Sequence, residues 1–549
     1  MNEIRGGAAR RWGAWLASLV CVVGLIAPRF AAAATPAADW PPVDGVYGVP
    51  SLTFTLPASL PGKITDTTIY LADIQATFPD VDWANLDRLY LRPGHFKFIY
   101  IGNLPQRSPD RRLVITNQGG QVRVGGLGHY YLLKLHGGSN WVLTGRYDPV
   151  SLTGDAAYPG HRGGAFANSQ GRYGIFIDDA HSVEAVSGLA IGGRATAFEL
   201  EYIEITRLGF AGLLAKTDNY GMAMMADVSV HDMYIHDTGS EGMYIGSRSG
   251  QPQHAIRNWK IFNNRVLRTG TEAIQISQLK GLTDVHHNVF GPAAIDWRAA
   301  FQPFQDGNLQ IGLREGELRV RNNLFIGAAS NLVSMFMEPA AGDATGENRG
   351  VRFDNNYFSD TRGTGMYMNT TAIPGIDFRF SGNTWRHWRF ERDQVYSDAV
   401  PYDHLLRVMN TTSPIRFAGT NWDGPEKFSN ALPTGLGTNG NVTGVRNKRI
   451  DAKPVTFIDA GLPYGFDYLR LEMWTDIASL GDNQPVTYAQ GYIVTHLGRP
   501  YRCKLDPCPA GRVPPEHPDT WKPLPPFVDD VRVKPGTRYE ALGLQPQPQ

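Results

Sequence analysis

Residues 238–247 read TGSEGMYIGS and residues 269–278 read TGTEAIQISQ, so Thr, Gly and Glu recur ahead of a short alternating apolar run. The acids are Glu241 and Glu272, and Asp306 in FQDGNLQI lies one place from the equivalent position in the next unit. If these units are neighbouring parallel strands, the carboxylates come about 4.8 Å apart. Carboxylates that close must share a proton, bind a cation or face water. Sharing suits cleavage of a glycosidic bond, where one acid stays protonated for the leaving oxygen and its neighbour ionises. Retaining chemistry wants a separation of about 5–5.5 Å and inverting chemistry about 6.5–9.5 Å. Adjacent units supply the first spacing, and Glu241 to Asp306 the second. The plain alternative is a pair of solvated acids splayed apart on a surface turn.

Such a pair needs a scaffold that repeats, and the chain writes one. The phrases IFNNRV (261–266), VHHNVF (285–290), VRNNLF (320–325), FDNNYF (353–358) and FSGNTW (380–385) share an apolar start, Asn at the fourth place and an apolar end. A second phrase is a strand: GLLA (212–215), GMYI (242–245), AIQI (273–276), NLQI (308–311) and GMYM (365–368). Short strands and Gly-rich turns at a period of two to three dozen residues describe a solenoid. No run shows the 3.6-residue periodicity of a helical repeat. The pattern predicts an all-β chain, a right-handed parallel β-helix, with a small C-terminal β module.

Alternation along those strands sorts the side chains. Met243, Ile245, Ile274, Ile276, Leu309, Ile311, Met366 and Met368 are expected inside, and Tyr244, Gln275, Gln310 and Tyr367 outside, with Ser334 between. Aromatic and amide groups in an exposed row suit an extended polysaccharide or oligosaccharide; an ordinary solvated face is the alternative. Asn264, Asn288, Asn323, Asn356 and Asn383 are expected to be structural, each adopting a left-handed turn and bonding its neighbours above and below.

The rest of the chain divides around that coil. Arg5, Arg10 and Arg11 precede the apolar run WGAWLASLVCVVGLIA and the small residues FAAAA, which predicts a signal peptide over 1–34 and an exported protein, periplasmic or extracellular. No later stretch is long and apolar enough to span a bilayer, so an integral membrane protein is not expected. Residues 40–130 read as an N-terminal cap, with a short helix in TTIYLADIQATFP, and first coils. Residues 131–390 read as the β-helix, 391–480 as an irregular closing segment, and 485–549 as the C-terminal module and tail. With 52 basic against 52 acidic residues, nothing points to nucleic acid as a partner. Cys503 and Cys508 in an oxidising compartment predict a disulfide. Oligomeric state is open.

Three resemblances add expectations. YAQGYIVTHLGRPYRCKLDPCPAGRVPPEHPDTWKPL (488–524) resembles the small carbohydrate-binding modules attached to chitinases and cellulases. That resemblance implies sugar packing on Tyr501 and Trp521, while the residues alone read equally well as the core of a mini-domain. LKGLTDVHHNVF (279–290) with LQIGLREGELRVRNNLF (309–325) resembles the alginate and chondroitin lyases of β-helix fold. It implies Lys280 as base and Arg314 as its partner in β-elimination on a uronate, with His286 nearby and acidic rungs that could hold calcium; no other cofactor is expected. Solvated turn residues are the alternative for Lys280 and Arg314. The whole chain resembles exported, pectin-lyase-like β-helix proteins, a fold that hosts hydrolases, lyases and non-catalytic glycan-binding or adhesive proteins. His231, His236 and Asp237 in VHDMYIHDTG lie one turn before Glu241, and His236 and Asp237 are expected to support it from behind.

Overall fold

The computed structural model describes residues 43–545 except 58–63, 66–67, 127–129, 147–172, 181–184, 217–223, 248–253, 297, 299–304, 316, 338–349, 371–375, 389–403, 424–426, 460–470 and 478–483. The expected signal peptide falls outside those residues.

One coil shows the plan. Met224–His231 is a strand of the first face, Tyr234–Thr238 of the second and Met243–Ile245 of the third. The next coil repeats it with Ala255–Phe262, Arg265–Thr269 and Ile274–Lys280. Each strand pairs in parallel with its counterpart: Val230 with Ile261, Ile235 with Val266, Met243 with Ile274. Among the described residues the second face is a 12-stranded sheet; the first and third join where Ile256 pairs with Leu279. The chain is a right-handed parallel β-helix, the hand that crossovers between parallel strands favour.

Stacking identical registers stacks the side chains. The eight residues expected inside the third face are at most 1% exposed. Inside the second face Phe290, Phe325, Phe358 and Trp385 form a column with ring centroids 5.2, 5.0 and 4.0 Å apart. Each such pair adds about 0.5–1.5 kcal/mol beyond its burial.

The asparagines form the expected ladder. Asn264 Nδ2 donates to Asn288 Oδ1 at 2.9 Å, Asn288 to Asn323 at 2.9 Å, Asn323 to Asn356 at 3.0 Å and Asn356 to Asn383 at 3.0 Å. The left-handed backbone, however, belongs to the residue before each of them: Asn263, His287, Asn322, Asn355 and Gly382 have φ between 54° and 64°. The preceding residue makes the corner, which leaves the ladder asparagine free to point along the coil axis.

A second left-handed column runs down the second face. Arg207, Asp237, Arg268 and Asp360 have φ of 51°, 54°, 52° and 65°. Pairing skips this place, passing from Thr206–His236 to Leu208–Thr238. The skip is a bulge repeated from coil to coil, which bends the strand. Consecutive side chains thereby face the same way, and His236 Nδ1 meets Asp237 Oδ2 at 2.6 Å.

Coils continue past residue 390: Leu406–Met409, Ile415–Ala418, Asn421–Trp422, Val442–Val445 and Lys448–Arg449 extend the three faces. Thr420 stands at the ladder position there and Asn447 resumes it, its Oδ1 accepting the Thr420 amide at 2.9 Å. At the other end the helix Leu71–Thr77 buries Leu71 and Ile74 against the first coils.

The C-terminal module is a sheet of Leu471–Met473, Ile493–His496, Arg499–Cys503 and Trp521–Pro523. Cys503 and Cys508 are disulfide-bonded. The chain then runs back along the second face, where Val531, Val533, Tyr539 and Leu544 pack on outward-facing Tyr173, Tyr202, Leu267, Val289, Leu324 and Tyr357. No helix among the described residues is long and apolar enough to cross a membrane.

Candidate functional site

The repeated Thr-Gly-x-Glu turn separates into scaffold and surplus. Thr238 Oγ1 donates to Ser240 O at 2.8 Å, and Thr269 Oγ1 to Thr271 O at 2.8 Å, closing each turn. A Cβ on Gly239 would come within 2.7 Å of Gly209 O, and one on Gly270 within 2.2 Å of Gly239 O, so the coils stack too closely for any other residue. The glutamates have no such duty. Register through the third face puts Ala211, Gly307, Asn331 and Thr364 at the same turn position in other coils, all without a carboxylate.

Glu241 and Glu272 occupy consecutive coils: Gly212 N donates to Glu241 O and Gly242 N to Glu272 O, each at 3.0 Å. Both side chains are fully buried and Asp306 is 3% exposed, so these are not solvated surface acids. Ser240 Oγ donates to Glu241 Oε2 at 2.6 Å and Gln305 Nε2 to Oε1 at 3.3 Å. Gln310 Nε2 donates to Glu272 Oε1, while among the described residues no donor reaches Glu272 Oε2 in hydrogen-bonding geometry. Burial raises the pKa of Glu241. Burial together with the negative charge of Glu241 and, further down, Asp306 raises that of Glu272 well above the ordinary carboxylate range. Of the two, Glu272 is the acid whose neutral form its surroundings favour more strongly. The segment around Ile295 helps to seal the site, with Ala294 N bonded to Thr271 O at 2.8 Å and Asp296 N to Gly270 O at 3.1 Å.

Beside the pair runs the outward row of the third face, Tyr244, Gln275, Gln310, Ser334 and Tyr367 in register. Lys216 lies 5.6 Å from the Tyr244 ring centroid and Arg407 5.5 Å from that of Tyr367. The two tyrosines are half-buried, but Gln275 and Gln310 are each 4% exposed, so the row is not the open face expected. Gln310 is held down by its bond to Glu272.

Lys280 and Arg314 lie at the trailing end of the same face, where Lys280 pairs in register with Glu315. Arg314 falls at the register irregularity next to that pair; Lys280 is half-buried and Arg314 2% exposed. They stand roughly 25 Å of strand from Glu272. His286 does not join them. It faces out from the first face in a ring stack with Phe262 and His231, at 5.1 and 4.4 Å, and burial lowers its pKa to about 4.

His236 and Asp237 do not support Glu241 either, because the bulge turns them to the second face. There they line a cavity of about 520 Å³ under the C-terminal module, together with Glu204, Arg268, Asp529 and Tyr501. Trp521 is a correction to the sugar-stacking expectation: it is fully buried in the module's own core with Tyr488 and Val494, and its Nε1 donates to Arg512 O at 2.7 Å. Tyr501 is 8% exposed and lines that cavity. A domain this small uses its aromatics as core.

Sequence reading missed one polar cluster. Glu199, Glu201 and His231 on the first face place one ligand atom each within 4.8 Å of one another. Their charge is already met: Arg146 Nη2 is 2.7 Å from Glu201 Oε2, Arg112 Nη1 is 2.7 Å from Glu199 Oε2, and the Tyr47 hydroxyl, 2.9 Å from an oxygen of each acid, has one proton to give to either. This donor set does not fit calcium. Glu241, Glu272 and Asp306 form no comparably convergent group among the described residues.

No protein-family model and no curated sequence matches the chain. Solved structures with a similar winding include the pectate lyase Pel9A, at 7% identity and TM-score 0.32, covering 79% of this chain and 90% of that one. A PL6 family polysaccharide lyase from Pseudopedobacter saltans aligns at 11% identity and TM-score 0.30, covering 74% and 97%. An alginate lyase from Paenibacillus sp. str. FPU-7 aligns at 12% identity and TM-score 0.29, covering 72% and 99%. Scores of this size carry no argument about chemistry, which rests on the residues above.

Proposed function

We propose that this chain is an exported carbohydrate-active enzyme that cleaves a polysaccharide laid along the third face. Glu272 acts as the proton donor and Glu241 as its ionised neighbour. The observation that supports this most is the pair itself: two fully buried acids in successive coils, at a turn position that Ala211, Gly307, Asn331 and Thr364 close without charge. Ionising both acids there would cost several kcal/mol per group, so a purely structural turn has no use for them. A carboxyl kept protonated at neutral pH beside an ionised one is the working state of a glycoside hydrolase. Gln310 links the pair to the outward row, and Tyr244 and Tyr367 supply ring faces for sugar C–H groups. Substrate must displace the 3.3 Å contact from Gln305 to reach Glu241.

A second reading places β-elimination at Lys280 and Arg314, which lie on successive coils at the trailing end of the third face. It needs a base at the α-carbon and a cation for the enolate. One assay separates the two. Neutral and uronate polysaccharides are incubated with the protein, and both reducing ends and ultraviolet-absorbing unsaturated ends are followed. Hydrolysis through Glu272 gives reducing ends alone, abolished in Glu272→Gln. Unsaturated ends that persist in Glu272→Gln and vanish in Lys280→Ala would move the chemistry to the far end of the face.

A further inference from the structure

The first face carries a column of arginines that neither reading uses. Followed in register from coil to coil, its outward positions are Lys260, Asp284, Arg319, Arg352, Arg379 and Arg416. Each of the four arginines stands between two buried residues, as Arg352 does between Val351 and Phe353, so alternation turns it outward. Arg352 is exposed, and the side chains of Arg319, Arg379 and Arg416 are 42, 50 and 52% exposed. At a strand spacing of about 4.8 Å the four span about 14 Å along the coil axis. Like charges opposite one another on neighbouring strands are destabilising, and solubility alone is served better by mixed signs.

The countercharge within reach is thin. Arg319 Nε donates to Glu317 Oε1 at 2.7 Å, while Arg379 Nε and Arg416 Nη1 share Asp377 Oδ2, at 2.6 and 2.8 Å. Burial raises the pKa of Asp354 in the next column against the pull of Arg352, Arg319 and Arg321. Asp284 is taken by Arg321 at 2.9 Å, and burial lowers the pKa of His286 beside it to about 4, so that ring is neutral at pH 7. Four guanidiniums thus face Glu317, Asp354 and Asp377, of which Asp377 serves two. Exposed pairs of this kind hold weakly, and each uses one or two of a guanidinium's five N–H donors. The chain as a whole is balanced at 52 basic and 52 acidic residues, so attraction for a polyanion has to come from a local row such as this one.

The partner that fits is long, thin and charged at regular intervals. One guanidinium per coil gives a pitch close to the length of a pyranose ring, and the planar fork of arginine meets an acidic group with two parallel bonds. Gly350, Ser381 and Ala418 beside the row are small and leave the arginines standing clear. Glu317, Asp354 and Asp377 on its flanks would repel a surface wider than one chain, such as a bilayer or a nucleic-acid duplex. We infer that Arg319, Arg352, Arg379 and Arg416 form a binding strip for a single extended acidic polysaccharide lying along the coil axis. The strip is on a different face from Glu272 and Lys280 and does not rest on either being catalytic.

The test uses the full-length protein carrying Glu272→Gln and Lys280→Ala, so that neither proposed reaction consumes the probe. Fluorescently labelled polygalacturonate, alginate and heparin are titrated at several salt concentrations, with dextran as the neutral comparison and oligo(dT) and phosphatidylglycerol vesicles as other polyanions. At least one of the three acidic polysaccharides is expected to bind, and the carboxylated and sulfated polymers show which anion the strip prefers. Adding Arg352→Gln and Arg379→Gln should weaken that binding about four- to twenty-five-fold, two exposed contacts at about two- to fivefold each. It should also lower the slope of log K against log salt by about 0.7 per arginine. Lys504→Gln with Lys522→Gln, the same change of net charge on exposed residues of the C-terminal module, should leave binding as it was. No binding of any acidic polysaccharide, an equal loss from the lysine pair, or tighter binding of dextran, oligo(dT) or the vesicles at the same salt would each overturn the inference.

Discussion

Replacing Glu272 with Gln tests the proton that the pair is argued to hold. The carboxyl accepts from Gln310 and carries a pKa raised by burial and by Glu241. Below the unfolded value, about 4.3, Glu272 is protonated in both states and contributes no pH dependence. As pH rises past it, the unfolded chain loses its proton while the folded chain keeps it, so stability falls with pH until the raised folded value is reached. The slope is about 1.4 kcal/mol per pH unit for one such proton. A glutamine at 272 still accepts from Gln310 and does not ionise. Urea titrations at pH 5, 6, 7 and 8 should therefore show the difference between the two proteins shifting in favour of Glu272→Gln as pH rises above the unfolded value. Glycosidic cleavage should fall about 10²–10⁴-fold in the same variant, the usual worth of a general acid. Parallel pH profiles for the two proteins, with or without a constant offset, would refute the shared proton; unchanged turnover would remove Glu272 from the chemistry.

Three further outcomes follow from the coil. Asn323→Ala removes the bonds from Asn323 Nδ2 to Val285 O and Asn356 Oδ1 and the acceptor of Asn288 Nδ2, at 2.8, 3.0 and 2.9 Å, and should cost about 2–4 kcal/mol in chemical denaturation. Arg146→Met strands the buried Glu201 carboxylate and should cost about 3–5 kcal/mol; adding Glu201→Gln should recover part of that in a double-mutant cycle. His231, whose pKa Asp232 and Glu199 raise to about 9 against its burial, contributes stability below pH 6.5 that is lost as pH rises through about 9. His231→Gln should flatten the wild-type decline over that window in thermal melts.

The coil was legible because its rule is local. Asn at one place and apolar residues at i and i+2 fix the register, and from register the inside and outside of the third face follow. The stacking of Glu241 on Glu272 was readable for the same reason. Their burial was not, because Gln305 lies 64 residues from Glu241 and Asp296 24 residues from Glu272, on segments outside the repeated phrases. The coil past residue 390 was hidden by Thr420 at the ladder place and by short strands such as Asn421–Trp422. The bulge column left no apolar signature, since Arg207, Asp237 and Arg268 look like ordinary surface residues in the alternation. Missing it sent His236 and Asp237 to the wrong face. Trp521 was misplaced because an aromatic in a mini-domain reads the same whether it binds or packs. The cavity draws on residues as far apart as Glu204 and Asp529, a pairing no local pattern encodes.

The tail that shields the second face has a consequence for biogenesis. Asn263 and Gln545 exchange hydrogen bonds of 2.9 and 2.8 Å, Gly543 N reaches Asn322 O at 3.0 Å, and the Tyr539 ring packs at a tilt on Tyr357, centroids 4.8 Å apart. These last residues leave the ribosome only after every coil they cover has been made. Until then a wall of tyrosine, leucine and valine stands bare, so each nascent chain passes through a sticky stage that ends only when residues 531–545 dock. Deleting residues 531–545 should therefore drive the protein into inclusion bodies.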